Sequence, residues 1–272
     1  MAPIVAAAQF APTADPAANL AEIARLARAA ANRGAGLVVL PEYASYFDRR
    51  PGPSFVAQAQ PLDGPFVAAL AALADELGVA LVAGLVETSS VPGRFRNTLV
   101  AVRPGAGLVA HYPKLHLYQS FGGDEAQWIE PGEIVPPPLF AWEGFAVGLE
   151  TCYDIRFPEV TRRLVDAGAD LVLVPAAWVP GPHKVEHWRT LVTARAIEDT
   201  VYVVGSGQTA PSGIGASLVV DPMGVVLAEL GADPGVACAE VDPARVAEVR
   251  TANPALAVRR FHVEPGAPRA HP

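Results

Sequence analysis

Cysteine is almost missing from this chain, with Cys152 and Cys238 the only two among 272 residues. Two thiols cannot build a disulfide framework, so the fold must rest on buried apolar surface. A basic block is also missing. Net charge is −8, from 28 acids against 20 bases, which excludes nucleic acid as a natural partner and favours a small one. No hydrophobic run approaches the roughly 20 residues of a membrane span. The opening Pro3-Ile-Val-Ala-Ala-Ala-Gln-Phe10 carries neither a charged leader nor a cleavage-site pattern, so a cytoplasmic protein with no membrane partner is expected. Neither an internal repeat nor a low-complexity linker divides the sequence. A single domain over residues 1–272 is therefore expected, with an extended C-terminal tail from about residue 251, where Pro, Ala and Arg replace any periodic pattern.

What is present is a large apolar fraction, 51%, enough at this length to bury a substantial core. Residues 3–10 are almost wholly apolar, which suits a strand covered on both faces. Leu20, Ile23, Ala27 and Ala30 recur at helical spacing between Pro16 and Gly34, and Phe66, Leu70, Leu73 and Leu77 repeat the pattern between Gly64 and Leu77. Strands are expected near 36–40, 79–86, 97–103, 145–149, 169–174, 201–206, 215–221 and 225–230, with another ending at His111 and a helix over 183–198. This alternation predicts α/β layers. Residues 119–138 lack periodicity and carry several Gly and Pro, so they read as a long loop, which in a compact domain is more often functional than idle.

The most informative segment is Gly148-Leu-Glu-Thr-Cys-Tyr-Asp-Ile-Arg-Phe-Pro-Glu159. An apolar strand pattern (Phe145, Val147, Leu149) runs into a polar turn and then a helix opening at Pro158. At such an elbow a sulfur is presented at the end of a sheet, and helix N–H groups favour its thiolate form. The ordinary alternative, a buried apolar cysteine, fits less well beside Glu150, Thr151, Asp154 and Arg156. Cys238, within the strand-like Val236-Ala-Cys-Ala-Glu-Val241, reads as structural.

The segment around Cys152 closely resembles the cysteine motif of the nitrilase superfamily, the carbon–nitrogen hydrolases, and specifically its amidase-like Nit branch. Two further segments match in order: Leu37-Val-Val-Leu-Pro-Glu42-Tyr and His111-Tyr-Pro-Lys114-Leu-His-Leu-Tyr118. The likeness continues through Pro175-Ala-Ala-Trp178, His187-Trp188, Ala194-Arg-Ala-Ile-Glu198 and Ser217-Leu-Val-Val-Asp221-Pro-Met-Gly224. It implies a four-layer αββα sandwich and subunits that pair into homodimers or larger homo-oligomers. It also implies a cofactor-free amidase that cleaves a small linear carboxamide to an acid and ammonia through a thioester. By resemblance, Cys152 attacks the carbonyl and Glu42 serves as base. Lys114 and the Tyr153 N–H hold the tetrahedral oxygen, and Glu125 supports the lysine, with Glu130 and Glu133 as nearby rivals for that last role. Implied substrates are ω-amides of dicarboxylic or 2-oxo acids, such as 2-oxoglutaramate, or deaminated glutathione.

Arg156, just past the nucleophile, is a candidate to grip a distal carboxylate bidentately; a structural pair with Glu159 is the alternative. By the same resemblance Trp178 is expected to line the pocket, with core packing as its alternative. Other readings stay open: an N-carbamoyl amino acid amidohydrolase or nitrilase, and a silent scaffold of the same fold. Nitriles fit less well, because Tyr153-Asp154 stands where true nitrilases commonly have Trp-Glu. His183-Lys-Val-Glu-His187 matches the H-x-x-E-H zinc pattern, both histidines falling on one face of the expected helix. With no third ligand at a compelling spacing, no metal is expected.

Overall fold

The structure is a computed structural model, and it describes residues 2–118 and 125–266. The chain order is β1 (Ile4–Gln9), α1 (Pro16–Ala31), β2 (Ala35–Val39), α2 (Pro53–Gln58), α3 (Pro65–Leu77), β3 (Ala80–Thr88), β4 (Phe95–Arg103) and β5 (Gly107–Pro113) in the first half. The second half follows with β6 (Phe140–Trp142), β7 (Phe145–Leu149), α4 (Pro158–Asp166), β8 (Leu171–Ala176), α5 (Lys184–Asp199), β9 (Tyr202–Gly207), β10 (Leu218–Val220), β11 (Val226–Glu229), β12 (Gly235–Glu240) and α6 (Pro243–Ala252). Two six-stranded sheets result, ordered β12-β1-β2-β3-β4-β5 and β11-β10-β9-β8-β7-β6. In each, three neighbouring strands run parallel, β1-β2-β3 in one and β7-β8-β9 in the other.

Strand periodicity explains the layers. Val5 and Ala7 point to one face of β1, joining Leu37, Val39 and Val82 against Val147, Leu149, Leu171, Leu173 and Val204 of the second sheet. Ala6 and Ala8 point the other way, beneath Ile23, Leu26, Ala27 and Ala30 of α1 and Phe66, Leu70 and Leu73 of α3. On the far side Val172, Val174 and Val203 meet Leu164 of α4 and Trp188, Val192 and Ala196 of α5. This is the α/β sandwich expected, helix layers outside two facing sheets. Local chemistry sets the helix ends: Asp15 accepts from the Ala17 and Ala18 N–H groups ahead of α1, and α3 stops at Gly78, whose φ of 68° suits a residue without a Cβ.

Three elements fall outside the sequence-based expectations: the short α2, the three-residue β6, and α6, which occupies 243–252 just ahead of the expected tail. Beyond α6 no helix or strand follows through residue 266. There Leu256 packs against the α4–α5 layer and Arg259 pairs with Asp166, so this part of the tail lies on its own subunit. Residues 119–124 and 267–272, which hold part of the predicted loop and the end of the tail, lie outside the described residues. Within that loop, 125–127 form one 3₁₀ turn. Among the described residues no helix is long and apolar enough to cross a membrane.

Candidate active site

Three carboxyl-terminal strand ends, those of β2, β7 and β8, open onto one cavity of about 1380 Å³, where sheets of this kind present ligand sites. Glu42 lies just past β2. Its backbone is reached so closely by β3 that a Cβ on Gly84 would stand 2.2 Å from the Tyr43 nitrogen. The carboxylate is almost fully buried and receives three donors. Asn97 Nδ2 at 2.6 Å and Lys114 Nζ at 3.0 Å reach Oε1, and the Ala177 N–H at 2.6 Å reaches Oε2.

Lys114 follows β5, its N–H bonded to the Asn97 carbonyl and its own carbonyl accepting from Gly132. The buried ammonium lies 3.0 Å from both Glu42 and Glu125. Burial alone would lower its proton affinity, but the Glu125 and Glu42 charges outweigh that and hold it well above the usual lysine range. Glu125 opens the 3₁₀ turn and also accepts from the Tyr118 N–H and the Tyr43 hydroxyl. The rivals lie elsewhere: Glu130 is held by Arg96 and Ser89, and Glu133 lines a separate cavity beside Arg163.

Cys152 opens a second 3₁₀ turn, Cys152–Arg156, with φ 46°, a conformation a side chain rarely adopts and one found preferentially at functional positions. The helix opens at Pro158, as expected, with Phe157 before it extended. One expectation needs correction here: the setting does not favour thiolate. Burial, and after it the Glu42 charge, pushes the thiol well above the usual cysteine range, Lys114 opposing only in part. The polar neighbours are themselves buried, Glu150, Thr151 and Asp154 completely. Opening on the cavity, rather than a wet sequence context, is what separates Cys152 from a core cysteine.

Asp154 locks that turn to the lysine loop. It accepts from the Tyr112 hydroxyl, the His116 N–H and the Thr151 N–H, and its Oδ1 is 2.8 Å from His116 Nδ1. His116 also stacks on Phe157, with ring centroids 3.8 Å apart. Tyr153 packs edge-on to Tyr118 and Phe157 at the cavity wall. Arg156 forms no ion pair with Glu159 or any other acid among the described residues. Its guanidinium instead lies 4.8 Å from the Trp178 ring centroid. Trp178 is both buried and cavity-lining, so the two readings of it coincide.

The histidine pair is not on one helix face. His183 precedes α5 in the left-handed region, with φ 57°, and both His183 and His187 are exposed. Among the described residues no three His, Cys, Asp or Glu side chains are grouped to hold a metal ion. Sequence reading missed Asn97, Tyr43 and Lys184. Asn97 had only a faint signal, an amide side chain two residues before the apolar Leu99, Val100, Ala101 and Val102 of its strand.

Comparison with known proteins gives this geometry a context. The family model described as carbon–nitrogen hydrolase matches residues 4–251. A deaminated glutathione amidase from Escherichia coli O157:H7 is 40% identical over 258 residues, 95% of this chain and 97% of that one. The C. elegans NitFhit protein superposes with a TM-score of 0.85 at 28% identity, over 96% of this chain and 66% of its own. An amidase from Nesterenkonia sp. AN1, in a form with the acetamide moiety of fluoroacetamide added covalently at its active-site cysteine, superposes with a TM-score of 0.77 at 30% identity, over 94% and 97% of the two chains. By a family match spanning nearly its whole length, and by a fold shared with these amidases, the chain belongs to the carbon–nitrogen hydrolases.

Proposed function

We propose that the protein is a cysteine-dependent amidase in which Cys152 is the nucleophile, Glu42 the general base and acid, Lys114 the oxyanion partner and Glu125 the group that holds Lys114. The observation that carries this reading is the convergence of one thiol, one ammonium and two carboxylates on the floor of a single cavity, the ammonium 3.0 Å from each carboxylate. Glu42 takes the thiol proton as sulfur bonds to the amide carbon, and the carbonyl oxygen becomes an oxyanion beside the Lys114 ammonium and the Tyr153 N–H. The carbon–nitrogen bond then breaks, the nitrogen leaving as ammonia with the proton from Glu42, and a thioester remains. Glu42 next deprotonates a water that attacks the thioester. The acid departs and the thiol regains its proton.

A thiol that burial and Glu42 keep protonated suits this sequence, because its proton needs a waiting base. Arg156 and Trp178 serve the substrate, the guanidinium receiving a distal carboxylate. The substrate class is a small linear carboxamide that carries such a carboxylate. Candidates are an ω-amide of a dicarboxylic or 2-oxo acid and deaminated glutathione, the latter named for the Escherichia coli relative. No cofactor takes part, and the working form is a homo-oligomer in the cytoplasm.

The test is ammonia release from ω-amides, N-carbamoyl amino acids and nitriles by wild type and Cys152→Ala. Turnover of the amides, lost in the variant, is expected. Carbon dioxide appearing with the ammonia would instead identify carbamoyl cleavage, and full activity in Cys152→Ala would sink the mechanism.

A further inference from the structure

The geometry points to Lys184 as a specificity-determining residue: with Arg156 it shares the Trp178 indole and receives the carboxylate of an anionic amide. This rests on the amidase reading above and adds to it a second cation on a different element.

Lys184 is the first residue of α5, and its side chain is buried rather than extended into water. Its ammonium lies 5.3 Å from the Trp178 ring centroid and 5.6 Å from that of Tyr118, within cation–π range of both. The backbone takes part too, since Trp178 Nε1 donates to the Lys184 carbonyl at 3.0 Å. Indole and helix start are thereby fixed relative to each other. Arg156, from the nucleophile's own turn, occupies the same indole at 4.8 Å. Both residues line the cavity above Cys152.

Two cations drawn to one aromatic ring repel each other, and an anion placed between them relieves that repulsion. The Lys184 ammonium registers the crowding. Burial, and after it Arg156, lowers its proton affinity, whereas negative charge at Cys152 would raise it. The wider cavity agrees. Above the ion-paired floor, its described lining carries Arg49, Arg50, Arg156 and Lys184 against the single acid Asp48. A chain of net charge −8 thus presents a cationic cleft, which draws anionic substrates toward it.

The experiment compares kcat/KM for succinamate, glutaramate and adipamate with the neutral amides of equal chain length, in which a methyl replaces the carboxylate. Wild type, Lys184→Gln, Lys184→Met and Lys184→Arg are assayed, with circular dichroism to verify folding. Lys184→Met retains the bulk over the two rings should the glutamine variant fail to fold. Wild type should prefer one of the anionic amides over its neutral counterpart by about 100-fold or more. Loss of the ammonium should cut that ratio at least tenfold, chiefly through KM, and Lys184→Arg should restore most of it; about tenfold corresponds to one charge-assisted hydrogen bond. A folded Lys184→Met enzyme that keeps the wild-type ratio overturns the inference and leaves the amidase intact. A wild type that prefers the neutral amides overturns it as well. Absence of turnover with every amide overturns the amidase reading, and this inference with it.

Discussion

Replacing Lys114 by methionine tests whether the floor of the cavity is one electrostatic unit. Lys114 is 2% exposed, and its ammonium lies 3.0 Å from an oxygen of Glu42 and from an oxygen of Glu125. At that separation each attraction is worth about 5 kcal/mol with an effective dielectric constant of about 20, and desolvation of the three charges offsets most of the total. Removing the cation alone does not return that desolvation cost. Two carboxylates are stranded in a buried site, a loss of about 3–5 kcal/mol. For a chain of this size that lowers Tm by roughly 6–20 °C. The assay is urea unfolding of wild type, Lys114→Met and Lys114→Met/Glu125→Gln, checked for an unchanged m value. The double variant should regain stability over the single, because one stranded charge has been neutralised. A Lys114→Met protein within about 1 kcal/mol of wild type at pH 7 would refute the reasoning, as would a double variant no more stable than the single. Amide turnover should be lost in either variant.

Glu42→Gln should abolish turnover yet raise the rate of Cys152 alkylation by iodoacetamide at pH 8 roughly tenfold. It removes a charge that holds the thiol protonated, and the lower nucleophilicity of the more acidic thiolate gives back part of the gain; a slower alkylation would contradict this. Burial raises the Glu150 carboxyl to about 8, above its value in the unfolded chain, so the folded state holds the proton more tightly. Its contribution to stability is complete at low pH and declines as pH rises from about 4.5 to 8. Glu150→Gln should flatten that decline, gaining on wild type by a few kcal/mol between pH 5 and pH 8 in denaturant unfolding; parallel curves would count against it. Gly84→Ala drives a Cβ to within 2.2 Å of the Tyr43 nitrogen and 2.7 Å of the Glu42 carbonyl carbon. Displacement of the Glu42 backbone should reduce kcat at least 100-fold, as a misplacement of about 1 Å does, and near-normal kinetics would exclude so tight an approach.

The periodic segments were legible because each buries a face. The first helix shows Ile23, Leu26, Ala27 and Ala30 on one stripe behind an Asp15 cap. The elements that escaped notice bury too little to leave a pattern: α6 hides only Val246 and Val249, and α2 only Phe55, beside turn-forming Pro51 and Gly52. Of the site, Glu42, Lys114 and Cys152 could be read from three short motifs and Glu125 from the family resemblance in the loop after Lys114, and the fold brings all four to one cavity. The protonation of the thiol could not be read. The local sequence suggested a helix dipole, while burial and a carboxylate contributed from the other sheet decide the matter. Lys184 was hidden for a similar reason: a lysine beginning a polar helix turn looks solvated, and only the fold brings Tyr118 and Trp178 over its ammonium.

Charge accounting explains why the floor holds two acids where one base would suffice. Before the proposed attack, with the thiol protonated, the floor carries two carboxylates and one ammonium, a net −1. At the tetrahedral stage Glu42 has taken the thiol proton and become neutral, and the new oxyanion carries the negative charge. The total is unchanged: charge moves across the Lys114 ammonium rather than being created in a buried space. This shift works only if Lys114 stays where it is once Glu42 no longer attracts it. Glu125, 3.0 Å away and fastened by the Tyr118 N–H and the Tyr43 hydroxyl, keeps its charge throughout and supplies that restraint. Tyr43 is in turn wedged among Phe47, Phe55 and Phe95, so the aromatic cluster beside the cavity fixes the position of a charge that, in the proposed mechanism, takes no part in proton transfer.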